Sequence, residues 1–345
     1  MRSICILRLS AIGDVVNACA VVQAIQRQYP EAAITWVIGK VEAKLLEGLS
    51  GVRLVVFDKK QGRQAYLQLK RDLQGEVFDC LLHMQLAFRA NLASVCIKAK
   101  RKIGFDWHSS KELHSLFMSE RIEAAPRGHV LDGFRQFAKA IGVEFDRPYW
   151  QLPVSAEDTQ FALKKLDWLP SLKKIAICPA ASNAERNWLP ERYAAMADYA
   201  ARRGFSVVLC GGSSAIEQQM SMDIKRYANT EILDLTGKTS LKQLLAVLKS
   251  VSLVLAPDTG PVHMAVAVGT PVIGLYAHSN PDRTGPYHFR DYVVEVYHQS
   301  LLEQTGKLAS ELKWGTRVKG AELMQKISVE QVQQMFDKMV QDLRL

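Results

Sequence analysis

The sequence predicts an α/β protein made of two doubly wound domains, each a parallel sheet with helices on both faces. Three observations support this. Short apolar runs rich in Ile, Val and Leu alternate with stretches of helical periodicity, the pattern of repeated βαβ units. The alternation occurs once in each half, on either side of the extended segment Asp146-Arg147-Pro148-Tyr149-Trp150-Gln151-Leu152-Pro153. The chain of 345 residues is also too long for one ordinary core and suits two of about 150–170 residues. We place the domains at 1–165 and 166–326, with a terminal helix over 327–345 available to pack back across the domain boundary.

In the first half, Ser3 to Leu9 reads as a buried strand. The loop Ser10-Ala11-Ile12-Gly13-Asp14 leads into a helix through Tyr29, with Val15, Val16, Cys19, Val22 and Ile25 as its apolar positions. Strands follow at Ile34–Ile38, Val52–Phe57 and Phe78–His83, with helices near Val41–Leu49, Gln64–Leu73 and Arg89–Ile97. From Lys98 the texture changes. Lys98, Lys100, Arg101 and Lys102 crowd together, and Trp107, His108, Lys111, His114, Arg121 and Arg127 follow with few structural signals, so an exposed basic loop is expected. Such a run is either solvated surface or a site for an acidic acceptor. Helical periodicity resumes over His129–Ile141.

In the second half, strands are expected at Lys174–Cys178, Phe205–Cys210 and Ile232–Leu235, and helices at Glu191–Arg203 and Ala215–Tyr227. Ser240-Leu241-Lys242-Gln243 is a capping-box start for a helix to Lys249. After Tyr276 the chain reads as irregular through Arg317. Ser328 then caps a last helix with an apolar stripe at Val329, Val332, Met335, Phe336, Met339, Val340 and Leu343.

Composition narrows the function classes. Hydrophobic residues make up 48% and charged ones 23%, as in a soluble globular protein. No apolar run approaches the roughly 20 residues that span a bilayer, and the N-terminus reads as a strand rather than a leader. Six cysteines without a C-x-x-C pair suggest reduced core thiols and hence the cytoplasm. A net charge of +9 points to anionic partners: phosphates, nucleic acid or an acidic membrane surface.

The stretch Val251 to Tyr276 is the chemical centre. An apolar strand ends at Pro257, the loop Asp258-Thr259-Gly260-Pro261-Val262-His263 opens a small-residue helix over Met264–Val268, and a second strand runs from Val272 to Tyr276. Gly260 allows close backbone approach, Pro261 suits a first helical turn, and the free N–H groups there attract anions. The loop is either a phosphate site or ordinary helix-start chemistry. His263 favours the first, since an imidazole in that turn can donate to phosphate. Asp14, at another helix start, is either a general base for a sugar hydroxyl or a cap. Arg186, in the loop after the Lys174–Cys178 strand, either neutralises a diphosphate leaving group or is plain surface. Dinucleotide, P-loop and nucleophile-elbow motifs are absent, as is zinc spacing or a clustered carboxylate set for a hard metal.

Four pieces together resemble the ADP-heptose:lipopolysaccharide heptosyltransferases almost end to end. They are Ser10-Ala11-Ile12-Gly13-Asp14, the segment Pro179…Ser182…Arg186-Asn187-Trp188-Leu189-Pro190, Leu235-Thr236-Gly237-Lys238-Thr239-Ser240-Leu241, and Asp258-Thr259-Gly260-Pro261-Val262-His263. Gln85-Leu86-Ala87-Phe88-Arg89-Ala90 and His129-Val130-Leu131-Asp132-Gly133-Phe134 look more like heptosyltransferase I, which adds the first heptose to Kdo on lipid A. The resemblance implies a GT-B fold, two Rossmann-like domains facing a central cleft, and inverting transfer without cofactor or bound metal. It also implies an ADP-heptose donor, a Kdo-lipid A acceptor and no nucleic acid, in a monomer peripheral to the cytoplasmic face of the inner membrane.

Residue by residue, the resemblance puts the catalytic base at Asp14. The ADP-heptose site would comprise Ser182, Arg186, Thr239, Asp258, Thr259, Gly260, Pro261 and His263. On charge alone, the basic residues Arg63, Arg89, Lys98, Arg101 and Lys102 would contact the acceptor, meeting lipid A phosphates and the anionic membrane face. Two features depart from the family: lysine often stands where this chain has Arg186, and Leu189 separates Trp188 from Pro190. Alternatives are another GT-B sugar-nucleotide enzyme, such as a second-heptose transferase or a UDP-sugar epimerase, or a non-catalytic module on an anionic surface.

Overall fold

The computed structural model describes residues 1–107, 114–124 and 127–345; His108 and Lys111 of the basic segment lie outside them. The chain divides into two compact units, Met1–Pro153 and Val154–Leu345.

In the first unit the order is β1 (Ser3–Leu7), α1 (Ile12–Gln28), β2 (Ala33–Gly39), α2 (Lys40–Leu46), β3 (Val52–Phe57), α3 (Arg63–Asp72), β4 (Phe78–His83), α4 (Phe88–Val95), β5 (Ala99–Gly104), β6 (Glu120–Arg121) and α5 (Val130–Lys139). The strands form one parallel sheet in the order β3-β2-β1-β4-β5-β6. β1 shows why the apolar runs become central strands: Ile4, Cys5, Ile6 and Leu7 are all fully buried, because helices cover both faces of a parallel sheet.

The second unit repeats the scheme with α6 (Ala156–Leu166), β7 (Lys174–Ile177), α7 (Pro190–Arg202), β8 (Ser206–Leu209), α8 (Ala215–Tyr227), β9 (Ile232–Asp234), α9 (Leu241–Lys249), β10 (Leu253–Pro257), α10 (Gly260–Ala267), β11 (Val272–Tyr276), α11 (Pro281–Thr284), β12 (Val293–Glu295), α12 (Tyr297–Thr305) and α13 (Val329–Leu343). Its sheet is also parallel, ordered β12-β11-β10-β7-β8-β9. Each sheet reverses strand order once, between β1 and β4 and between β7 and β10. Loops at the carboxyl ends of such a pair diverge and leave a crevice for ligands.

Several expectations need correction. The basic run is not a loop: Lys100, Arg101 and Lys102 lie on β5, paired with β4 and β6. A strand near the sheet edge can carry charge where its side chains reach partners, and Arg101 reaches Glu120 while Lys102 reaches the Ser94 carbonyl. The stretch after Tyr276 holds α11, β12 and α12 rather than irregular chain. α10 begins at Gly260, four residues before the expected start. α6, which the sequence reading left out, is closed by a capping box of Ser155 and Asp158, and it packs beside α9; the boundary accordingly falls after Pro153 rather than after 165. The stripe of α13 is packed at home: Val332, Phe336 and Met339 are fully buried against α7 and the β11–β12 side of their own unit.

All six cysteines are free thiols. Among the described residues, no helix is long and apolar enough to cross a membrane, and no group of three or more His, Cys, Asp or Glu is placed to hold a metal ion.

Candidate active site

In the second unit the site grows from three neighbouring strand ends. β10 is buried throughout and stops at Pro257, which delivers Asp258 and Thr259 to the start of α10. Pro261 occupies the first turn, where its missing N–H costs nothing, and Thr259 leaves the helix start without a side-chain cap. Pro261 has no N–H and the Val262 N–H turns back to the Thr259 carbonyl at 3.2 Å, so the helix start offers an anion its dipole and the Gly260 N–H. The loop after β7 is pinned from below: Asn187 accepts a hydrogen bond from the Ala181 N–H at 2.7 Å, and the Trp188 indole donates to the Ile327 carbonyl at 3.0 Å. Trp188 is 1% exposed and sets its ring edge-on to Tyr193, so the turn carrying Arg186 has a rigid base.

Arg186 then crosses the reversal of strand order. Its Nη1 donates to the Asp258 carbonyl at 3.2 Å and to the Asp258 carboxylate at 3.4 Å, and both side chains are largely shielded from water. From the end of β11, the Ser279 hydroxyl donates to the same carboxylate. Asp258 is thus gripped by groups from the loops after β7 and β11. Its carboxylate holds the guanidinium beside the start of α10, where it can face a diphosphate.

In the first unit the corresponding reversal lies between β1 and β4. Arg8 ends the buried β1 segment, forms an ion pair with Asp14 in the first turn of α1, donates to the Met84 carbonyl and stacks over Phe134 at 5.2 Å. Gln85 clasps the same loop, accepting from the Leu9 N–H at 2.6 Å and donating to the Ser10 hydroxyl at 3.3 Å. The Asp14 carboxylate is about one-third exposed, so it stays accessible while its guanidinium partner fixes its position.

Beside this loop, the carboxyl ends of β1 to β4 enclose a cavity of about 370 Å³. Leu9, Val41 and Phe57 supply an apolar wall, and Lys40, Lys44, Lys59, Lys60 and Arg89 bring five cations against Glu42 and Asp58. Lys40 pairs with Asp58 at 3.0 Å. Burial pushes the Glu42 carboxyl above the ordinary range. The cavity suits an anionic, partly apolar ligand.

The glycosyltransferase family 9 (heptosyltransferase) profile matches residues 66–338. The chain belongs to this family. The lipopolysaccharide core heptosyltransferase OpsX of Haemophilus influenzae is 45% identical over 331 residues, covering 96% of this chain and 95% of that protein. Lipopolysaccharide heptosyltransferase 1 of Pseudomonas aeruginosa is 24% identical over 295 residues, 82% of this chain and 80% of that one. Among solved structures, a family 9 glycosyltransferase from Veillonella parvula superposes with a TM-score of 0.80 at 23% identity, over 99% of this chain and 97% of the other. E. coli heptosyltransferase WaaC with ADP gives 0.73 at 20% identity, over 97% and 99%. The protein is a glycosyltransferase of the GT-B fold class, a heptosyltransferase of lipopolysaccharide core biosynthesis.

Within the heptosyltransferase the residues singled out from sequence divide unevenly. Arg186 and Asp258 are in contact, and Thr259, Gly260 and Pro261 form the adjoining helix start. His263 lies in the same helix, 8% exposed. Ser182 is exposed on the Arg186 loop, and Thr239 is half-buried after β9, two strands from β7. Of the basic residues, Arg89 lines the cavity, whereas Arg63 and Lys98 are exposed outside its lining. Arg101 is held by both carboxylate oxygens of Glu120 at 2.8 and 2.6 Å. Lys102 donates to the Ser94 carbonyl at 2.8 Å, and burial lowers its pKa.

Sequence reasoning missed Arg8, Ser279 and the four cavity lysines. Arg8 had a signal, a lone arginine closing an apolar strand. Lys40, Lys59 and Lys60 directly follow strand ends, where the carboxyl-end rule for α/β sheets places ligands.

Proposed function

We propose that the chain transfers heptose from ADP-L-glycero-D-manno-heptose to a hydroxyl of Kdo in Kdo-lipid A, inverting the anomeric centre, at the cytoplasmic face of the inner membrane and as a monomer. The observation that carries this is the Arg186–Asp258 pair set beside the uncapped start of α10, a cradle for a diphosphate. The likeness to OpsX supports the pathway, and E. coli WaaC holding ADP in the same fold supports the nucleotide.

In this reading the Asp14 carboxylate takes the proton of the Kdo hydroxyl. The freed oxygen bonds to the anomeric carbon as that carbon's bond to the β-phosphate oxygen breaks. Charge then gathers on the departing ADP, where the Arg186 guanidinium, the start of α10 and the His263 imidazole oppose it. The cavity lysines and Arg89 receive the acidic acceptor.

Asp14→Asn is the decisive variant, because an amide keeps the shape and can still accept from Arg8. Turnover should fall roughly 10²- to 10⁴-fold with ADP affinity unchanged. Near-wild-type turnover in a folded variant removes Asp14 from the base role, and calorimetric preference for UDP over ADP removes the heptose donor.

A further inference from the structure

α4 is packed the wrong way round for a surface helix. Its large apolar residues point outward: Phe88, Leu92 and Val95 are 49%, 38% and 61% exposed, and their four-then-three spacing puts them on one face. Facing inward are Ala90, Asn91, Ala93 and Ser94, all fully buried. The inward polar groups are satisfied, since the Ser94 hydroxyl donates to the Asn91 carbonyl at 2.6 Å and Asn91 Oδ1 meets His114 Nδ1 at 2.9 Å. Single exposed apolar side chains need no explanation. A full stripe of them on a helix whose buried face carries Asn and Ser does. Leu116, in the turn that packs beside α4, is also 77% exposed.

The fringe of this stripe is basic. Arg89 is exposed in the first turn, Lys98 is exposed just beyond the helix, and α4 itself has no acidic residue. An apolar stripe bordered by cations is what binds the headgroup region of an anionic bilayer. A second copy fits poorly, because a two-fold interface would set the same cations against themselves. Ala87, Arg89 and Ala90 also line the cavity beside the Ser10 loop, so the first turn of α4 is part of the cavity wall.

We propose that the outer face of α4 docks on an anionic lipid surface and so brings a lipid-anchored acceptor to the adjoining cavity. The acceptor half of this statement rests on the reading above; the docking half does not.

The test is flotation of the full chain with phosphatidylcholine vesicles, with and without phosphatidylglycerol. The wild type should bind the anionic vesicles, more weakly as salt rises, and Leu92→Ser with Val95→Ser should lower the partition coefficient about tenfold. The double variant should turn over detergent-dispersed acceptor at the wild-type rate. Val95→Trp serves as a gain-of-contact variant: it should bind more tightly and shift its emission to the blue on anionic vesicles, which keeps the proposal testable if the serine pair fails to fold. No vesicle binding by the wild type, or equal binding by all three proteins, overturns the proposal. So does a wild-type dimer that the serine pair converts to monomer while vesicle binding holds. Vesicle binding by a chain that cannot use Kdo-lipid A would uphold docking and refute the substrate reading, so the two failures are distinguishable.

Discussion

Ser279→Ala deletes one hydroxyl and leaves every charge in place. In the native chain that hydroxyl donates to the Asp258 carboxylate, with Ser279 only 7% exposed, while Arg186 approaches the same carboxylate at 3.4 Å. A hydrogen bond to a charged group is worth about 1.5–3 kcal/mol. Asp258 keeps Arg186 and some contact with water, so the lower end applies: about 1.5 kcal/mol, or roughly a tenfold loss of kcat/KM for ADP-heptose. The loss should appear mainly in KM and in ADP affinity, because a carboxylate released by Ser279 can turn further onto Arg186 and withdraw the guanidinium from the diphosphate. Ser279→Thr, which retains the hydroxyl, should recover most of it.

Steady-state kinetics and calorimetric titration with ADP measure the effect, and a double-mutant cycle assigns it. In an Asp258→Ala background the Ser279→Ala change should add almost nothing, because the two act as one unit. Wild-type kinetics in Ser279→Ala, or full additivity with Asp258→Ala, would refute the coupling.

Two further outcomes follow from the first unit. At Gly39 any Cβ would strike the Leu9 carbonyl oxygen, which already accepts the Gly39 N–H at 2.9 Å, and would also crowd the Glu42 carboxylate. Gly39→Ala should therefore cost about 1–3 kcal/mol and lower turnover through the displaced Leu9–Ser10 loop; an unchanged urea midpoint would contradict this. Burial, helped by Arg121, holds the His114 imidazole down at about 4, and burial together with His114 holds His83 well below its ordinary value. Both stay neutral in the fold, whereas the unfolded chain takes up protons near 6.5. Their contribution is thus complete above about pH 6.5 and is lost as pH falls toward about 4, with roughly 2 kcal/mol from His114 gone by about pH 5. Urea midpoints against pH should show this slope, and His114→Gln should flatten it.

Local chemistry alone determined a large part of this chain. Strands buried on both faces announce themselves as apolar runs, as in Phe78–His83 and Val272–Tyr276, whose bounds match the fold. Capping boxes are complete within four residues, so Ser240 and Ser328 could be read directly, and both close in the structure. The anion-attracting chemistry at Gly260-Pro261 was legible for the same reason, since it lies in local backbone groups, although the helix begins there rather than at Met264.

The partners of those groups were not legible. Arg186, Asp258 and Ser279 lie 72 and 21 residues apart, and they meet only because parallel crossovers set the ends of β7, β10 and β11 side by side. Gln85 reaches Leu9 across 76 residues in the same way. Charge on β5 misled because its acceptability depends on Glu120 and Ser94, which are remote in sequence or one element away. The sequence specifies which backbone groups are exposed at each strand end. Only the order of strands in the finished sheet decides which side chains meet there, because that order is fixed by packing across the whole unit and leaves no trace in any short window of residues.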